Sequence, residues 1–354
     1  MKAADAEALE RAAKWTEAGD AWKVLAESAA KSGRADAPDL AVRAADAFRR
    51  DDRPAAAARM IRLALTLRSA TVADAAQLAG ALADAGEIEA AADIAAAAVD
   101  GAPDAPARAL ALDVACGTSL SAGRVRLARG LVAELDRSPL VGAQFAAAFR
   151  KAQLARLDGD LRFASATWRA LVAQLAPHAA AAGALAAAWM ELGETSVLQG
   201  TLRSLGVAWY AGPGSNDDDL DEAEAEACFQ NAAQAWARAG RRAGLFRAEA
   251  WKLRVRASEP TIATAVDTAI GYADERGLQG LRAELRALRA VIRRDPMDAL
   301  HAVELSPQAP LARGRARVIA GELGGKFEAE KALTELADDV PWKARARMLA
   351  GASS

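Results

Sequence analysis

Residues 152–171 read Ala-Gln-Leu-Ala-Arg-Leu-Asp-Gly-Asp-Leu-Arg-Phe-Ala-Ser-Ala-Thr-Trp-Arg-Ala-Leu, two amphipathic helical stretches broken at Gly159. Before the break stand small residues, Ala152 and Ala155; after it come Ala164, then Trp168, then Leu171. Small residues at the crossing let two antiparallel helices approach closely, while the larger ones fill the space towards the next pair. The stretch therefore predicts a helix–turn–helix hairpin. Its register recurs around Asp52, Gly86 and Gly193. Alanine stands seven residues before each break, at Ala45, Ala79 and Ala186, followed by Phe48, Leu82 and Trp189. After the breaks come Ala57, Ala91 and Leu198, then Ile61, Ala95 and Leu202, then Ala64, Ala98 and Leu205. Asp52 to Gly86 and Gly159 to Gly193 are both intervals of 34 residues. Looser breaks at Gly19, Gly240, Gly277 and Gly325 extend the rhythm along the chain, and Pro103, Pro139, Pro177, Pro260 and Pro296 fall at helix ends.

Composition carries the same message. Of 354 residues, 53% are apolar and 99 are alanine, whereas Val, Ile and Thr together number 35. Alanine is the best helix former and the β-branched residues that favour sheets are scarce, so the chain is expected to be all-α. With its spacing and its small residues, the sequence resembles the tetratricopeptide repeat, most clearly over residues 38–103 and 145–205. That resemblance implies a right-handed α-solenoid of roughly nine antiparallel hairpins, with the first helix of each lining a concave surface.

The charges exclude other classes. Lys and Arg number 45 against 47 Asp and Glu, a net charge of −2, so no global basic field exists to hold nucleic acid. Cys116 and Cys228 lie far apart with no second thiol nearby, which reads as two buried free thiols and not as a disulfide or zinc site. No cofactor is expected. The start, Met1 to Glu7, lacks an apolar signal core, and the longest apolar stretch, 179–190, is too short to span a bilayer. The cytoplasm is the expected address. Arginine outnumbers lysine 36 to 9, which with the alanine excess suggests a GC-rich bacterial genome.

Residues 211–219, Ala-Gly-Pro-Gly-Ser-Asn-Asp-Asp-Asp, have the composition of a loop. They predict a division into hairpins over 1–211, a loop over 212–219 and further hairpins over 220–354. Asp217, Asp218, Asp219 and Asp221 match the Asp-Asp-x-x-Asp pattern of all-α magnesium-dependent isoprenoid enzymes. In those enzymes the motif lies on a helix over an aromatic cavity; here it follows a glycine-proline loop, and a solvated helix start is the expectation, with the enzyme a distant alternative. His178 and His301 stand apart, each beside a helix boundary, and suggest no acid–base pair.

Two surfaces are the candidate binding sites, and the expected activity is non-catalytic. By the solenoid register, the concave face carries Arg43, Arg49, Arg50, Arg150, Gln153 and Arg156, extended by Gln230, Asn231, Gln234 and Arg238. Nothing in the hairpin interior requires Arg49, Arg150 or Arg156, so their removal is expected to leave stability unchanged. Arginine forks pair with carboxylates and stack on aromatic faces, so an acidic or acidic–aromatic protein segment is the expected ligand. The second surface is the stripe Arg282, Arg286, Arg289 and Arg293, on one face of a helix. The expected function is a protein–protein interaction scaffold or adaptor. The alternative is a structural or regulatory subunit of a larger bacterial assembly, bound through its outer faces and ends.

Overall fold

A computed structural model describes residues 2–69, 71–204, 222–255 and 261–351. It is all-α, and the described residues contain no strand. The helices are α1 (Ala3–Arg11), α2 (Trp15–Lys31), α3 (Ala37–Arg50), α4 (Pro54–Leu67), α5 (Val72–Asp84), α6 (Ile88–Asp100) and α7 (Ala105–Ser121). There follow α8 (Val125–Leu135), α9 (Val141–Asp158), α10 (Leu161–Leu175), α11 (Ala182–Ser204), α12 (Glu222–Arg238) and α13 (Arg242–Val255). The array ends with α14 (Thr261–Arg276), α15 (Gln279–Arg293), α16 (Pro296–Glu304), α17 (Pro310–Glu322), α18 (Lys326–Glu335) and α19 (Val340–Ala350). The predicted loop over 212–219 and its aspartate cluster lie outside the described residues.

Local chemistry sets the helix ends. Gly159 closes α9 with a left-handed φ of 87°, a conformation glycine adopts without a Cβ clash. One residue on, the Asp160 carboxylate accepts the Phe163 backbone N–H at 3.0 Å and caps α10. Proline occupies the first turn of α4, α16, α17 and α19, where its missing N–H costs no helical hydrogen bond. Pro296 thus begins a helix.

Each helix packs on its sequence neighbours, as stacked hairpins require. The repeat register predicted above is the core. Ala45, Ala79, Ala152 and Ala186 are buried, as are Ala57, Ala91, Ala164, Ile61, Ala95 and Trp168. Trp168 is fully buried and meets Phe149 edge-on, with ring centroids 4.7 Å apart.

Two of the predicted breaks are not turns. Gly19 lies inside α2 and Gly193 inside α11. Both are places of close approach: a Cβ on Gly19 would stand 2.7 Å from the Phe48 ring, and one on Gly193 would stand 2.7 Å from Phe229. Because α11 runs through Gly193, the order of inner and outer helices beyond it is exchanged relative to the sequence reading. The helix that follows, α12, packs outside α11 and α13 and contributes no residue to the interior.

Alternate helices also touch: α5 packs on α7, α7 on α9, α13 on α15, α15 on α17 and α17 on α19. These odd-numbered helices form an inner wall, and that wall closes upon itself. In the closed form α5 meets α15, α7 meets α17, and α9 and α11 both meet α19. The seam is polar. Asp52 at the α3–α4 turn accepts the backbone N–H of Ala243 at 2.8 Å and the Tyr272 hydroxyl at 2.9 Å. Beside it, Arg276 donates to the Asp51 carboxylate at 2.5 Å, and Gln308 accepts the Glu89 N–H at 3.3 Å.

Candidate functional site

Closure turns the concave face into an interior. A cavity of about 230 Å³ lies there, walled by α9, α11, α13, α15, α17 and α19. Its apolar lining includes Val197, Leu198, Leu288, Ile319, Trp251 and Trp342. A wider hollow of about 530 Å³ continues towards the Asp52 seam and shares Arg156, Arg247, Glu284 and Arg315 with the first.

Those shared residues belong to a row of ion pairs between the hollows. Arg156 lies 2.8 Å from Glu191 and 3.3 Å from Glu194, and Gln153 donates to Glu191 at 2.6 Å. Arg247 reaches Glu194 at 2.7 Å and Glu284 at 2.8 Å, and the Trp251 indole N–H donates to Glu284 at 2.6 Å. On the opposite wall Arg315 pairs with Asp339 at 2.6 Å, and Arg345 donates to Glu322 through Nε at 3.0 Å. Burial pushes the Glu194 carboxyl up against the opposing pull of Arg247 and Arg156. Burial acts on Glu191 too, but there Arg156 and the Gln153 amide prevail and hold it below its ordinary range.

Five arginines line the cavity: Arg156, Arg247, Arg254, Arg315 and Arg345. Four have carboxylate partners. Arg254, in the last turn of α13, has none among the described residues; its guanidinium lies over the Trp251 ring at 5.0 Å. Burial, with the Arg345 charge second, pulls Arg254 down to about 10. Arg345 is itself almost wholly buried and stacks on Trp342 at 4.2 Å.

The sequence-selected residues separate into three groups. Gln153 and Arg156 face the interior, and Arg150 is held nearby by Asp113 at 2.8 Å and Gln153 at 3.0 Å. Arg43, Arg49 and Arg50 remain exposed, and each has a local partner. Arg43 contacts Glu7 at 3.0 Å and lies over Trp22 at 4.5 Å. Arg49 contacts Asp46 at 3.1 Å, and Arg50 lies over Trp15 at 4.7 Å. On α12, Gln230 accepts from Lys252 at 2.9 Å, Asn231 is half-buried, and Gln234 and Arg238 are exposed, all of them away from the cavity lining.

The Arg282–Arg293 stripe is matched by acids on the helices flanking α15. Arg282 pairs with Asp274 at 2.6 Å and Arg286 with Asp298 at 3.2 Å; Arg289 bridges Asp298 and Asp267, and Arg293 meets Asp267 at 2.5 Å. His178 and His301 are both exposed. Cys116 and Cys228 are buried free thiols, and burial raises them to about 11 and about 12.

The sequence reading missed Arg247, Trp251, Arg254, Trp342 and Arg345. A local signal existed. Trp251 and Arg254, like Trp342 and Arg345, stand three residues apart on a helix, the spacing that puts an aromatic ring and a guanidinium on one face.

No protein-family model matches the chain, and no curated protein sequence matches it. Among the described residues, no helix is long and apolar enough to cross a membrane. The class the fold itself defines is an all-helical array of neighbouring pairs whose inner wall is closed around a lined cavity.

Proposed function

We propose that this chain is a non-catalytic protein-interaction scaffold: a right-handed, tetratricopeptide-like α-solenoid of roughly nine hairpins, working in the bacterial cytoplasm. Its partner engages the outer faces and the end of the array. One observation carries this choice over the open-groove reading: Gln153 and Arg156 are already paired with Glu191 and Glu194 inside the closed wall, and Arg150 is held by Asp113 beside them. A peptide entering there would have to displace buried ion pairs, and breaking such a pair costs about 3–5 kcal/mol. The terminal hairpin, in contrast, leaves large apolar side chains uncovered. Phe327 on α18 is 68% exposed, and Met348 and Val340 on α19 are 47% and 40% exposed. An exposed apolar group at the end of a stack supports a docking role there.

The test is capture of a partner from the native organism, its identification by mass spectrometry, and reconstitution with purified variants. The double variant Phe327→Glu, Met348→Glu is expected to lose that partner while keeping the wild-type melting temperature. Undiminished capture by this folded variant would overturn the end-face reading.

A further inference from the structure

The cavity itself asks for an occupant that the scaffold reading does not supply. Its walls combine an apolar half, formed by Leu198, Leu288, Ile319 and Trp342, with the guanidinium of Arg254, which pairs with no carboxylate among the described residues. The ion pairs around it divide unevenly. Three carboxylates, Glu191, Glu194 and Glu284, serve the two cations Arg156 and Arg247 on one side. On the opposite wall the two cations Arg315 and Arg345 hold Asp339 and Glu322. Arg254, on α13 beside Trp251, is the one arginine of the lining with no carboxylate in ion-pair contact among the described residues. Burying a charge without a partner is costly, and the cost falls when a counter-ion joins it.

We propose that this cavity binds a small monocarboxylic acid with an apolar body, its carboxylate on Arg254 and its chain or ring against Leu198, Leu288, Ile319 and Trp342. The guanidinium fork matches a carboxylate in two parallel hydrogen bonds, and stacking of Arg254 on Trp251 holds the fork in place before the ligand arrives. A single guanidinium without an ion pair presents one fork, which one carboxylate fills. An aliphatic or aromatic tail suits the surrounding apolar walls, since pockets of this kind orient a mostly apolar ligand with few polar groups. Burial and the Arg345 charge depress the basicity of Arg254 against the pull of Glu322 and Glu194, and a bound anion would act in the same direction as those carboxylates.

Calorimetric titration of the full chain with octanoate, and with 1-octanol as the uncharged isostere, tests the assignment. Octanoate is expected to bind and to raise the melting temperature, as any ligand selective for the folded state does. Octanol is expected to bind at least about tenfold more weakly, the penalty for losing a charge-assisted pair. Arg254→Gln should fold normally, because no described residue forms an ion pair with Arg254, and should lose the preference for octanoate over octanol. Ala287→Phe, which fills the apolar half, should abolish binding of both probes. Circular dichroism and melting curves establish that each variant is folded. Absence of octanoate binding at millimolar concentration, equal affinity for octanol in the wild type, or unchanged octanoate affinity in folded Arg254→Gln would each overturn the proposal. Full octanoate binding by folded Ala287→Phe would overturn the location.

Discussion

The Tyr272 hydroxyl donates to the Asp52 carboxylate at 2.9 Å across 220 residues of sequence, and Asp52 is 3% exposed. This contact joins the α3–α4 turn to α14 and holds the inner wall closed. Asp52 also accepts the Ala243 N–H and lies 3.7 Å from the Arg241 guanidinium, so one carboxylate takes two hydrogen bonds and one ion pair from residues far along the chain.

Removing either partner should therefore have unequal effects. Tyr272→Phe deletes one hydrogen bond and is expected to cost about 1 kcal/mol. Asp52→Ala strands the phenol, the amide and Arg241 together, and about 2–4 kcal/mol is expected. Chemical denaturation measures both. Small-angle scattering should show a larger radius of gyration for Asp52→Ala, because the seam opens before the hairpins unfold.

Two glycines of α11 should respond in opposite directions to the same substitution. Gly200 has open space around its missing Cβ, so Gly200→Ala is expected to stabilise by about 0.5–1 kcal/mol through helix propensity. At Gly193 the new methyl would meet the fully buried Phe229 ring at 2.7 Å, and Gly193→Ala is expected to destabilise by about 1–3 kcal/mol. Melting curves of the two variants, run side by side, decide it.

Arg156 and Arg43 are the same residue type on helices of the same array, yet their loss should differ severalfold. Arg156→Ala leaves Glu191 and Glu194 without their shared cation in the interior, and about 3–5 kcal/mol is expected. The Arg43 side chain is 47% exposed, so Arg43→Ala should cost less than about 1 kcal/mol despite its stacking on Trp22. The first value reverses the expectation, drawn from the sequence, that Arg156 is dispensable for stability.

The buried thiols give a pH dependence of known sign. Burial raises Cys116 from 9.0 to about 11 and Cys228 from 9.0 to about 12, so the unfolded chain loses these protons first as pH rises. Stability from both is complete below pH 9 and is expected to fall above it, by about 1.4 kcal/mol per pH unit and per thiol. The double variant Cys116→Ala, Cys228→Ala should flatten the pH 9–10 limb of the denaturation profile. In the same way a thiol reagent at pH 8 should label the native protein slowly and the urea-unfolded protein at once.

Much of the architecture was legible in short windows of sequence. The turn at Gly159, the cap at Asp160 and the buried places of Ala152, Ala164 and Trp168 depend on residues between positions 152 and 168, two neighbouring helices of one hairpin. Intrinsic propensity, capping and small-residue spacing act at that range, and alanine fixed the class as all-α. The pairing of the Arg282–Arg293 stripe was only half legible. Its arginines share a face by spacing alone, but Asp267 and Asp298 come from the helices on either side.

Gly193 shows where that range ends. A glycine with an apolar residue at its fifth following position reads as a turn or as a place of close approach, and the sequence window contains nothing that separates the two. Phe229, 36 residues later, decides for the second by lying against it, and α11 continues. That one decision places α12 outside and brings Arg247, Trp251 and Arg254 to the inner wall. The sequence by itself determined the helices, their breaks at Asp52, Gly86 and Gly159, and the alanine-lined packing between neighbours, because those interactions are local. Only the tertiary structure decided that the wall closes, that Arg156 is sealed inside and that Arg254 has no carboxylate in ion-pair contact among the described residues. Each of these depends on contacts such as Asp52 to Tyr272, whose partners meet only when the whole array has curved around.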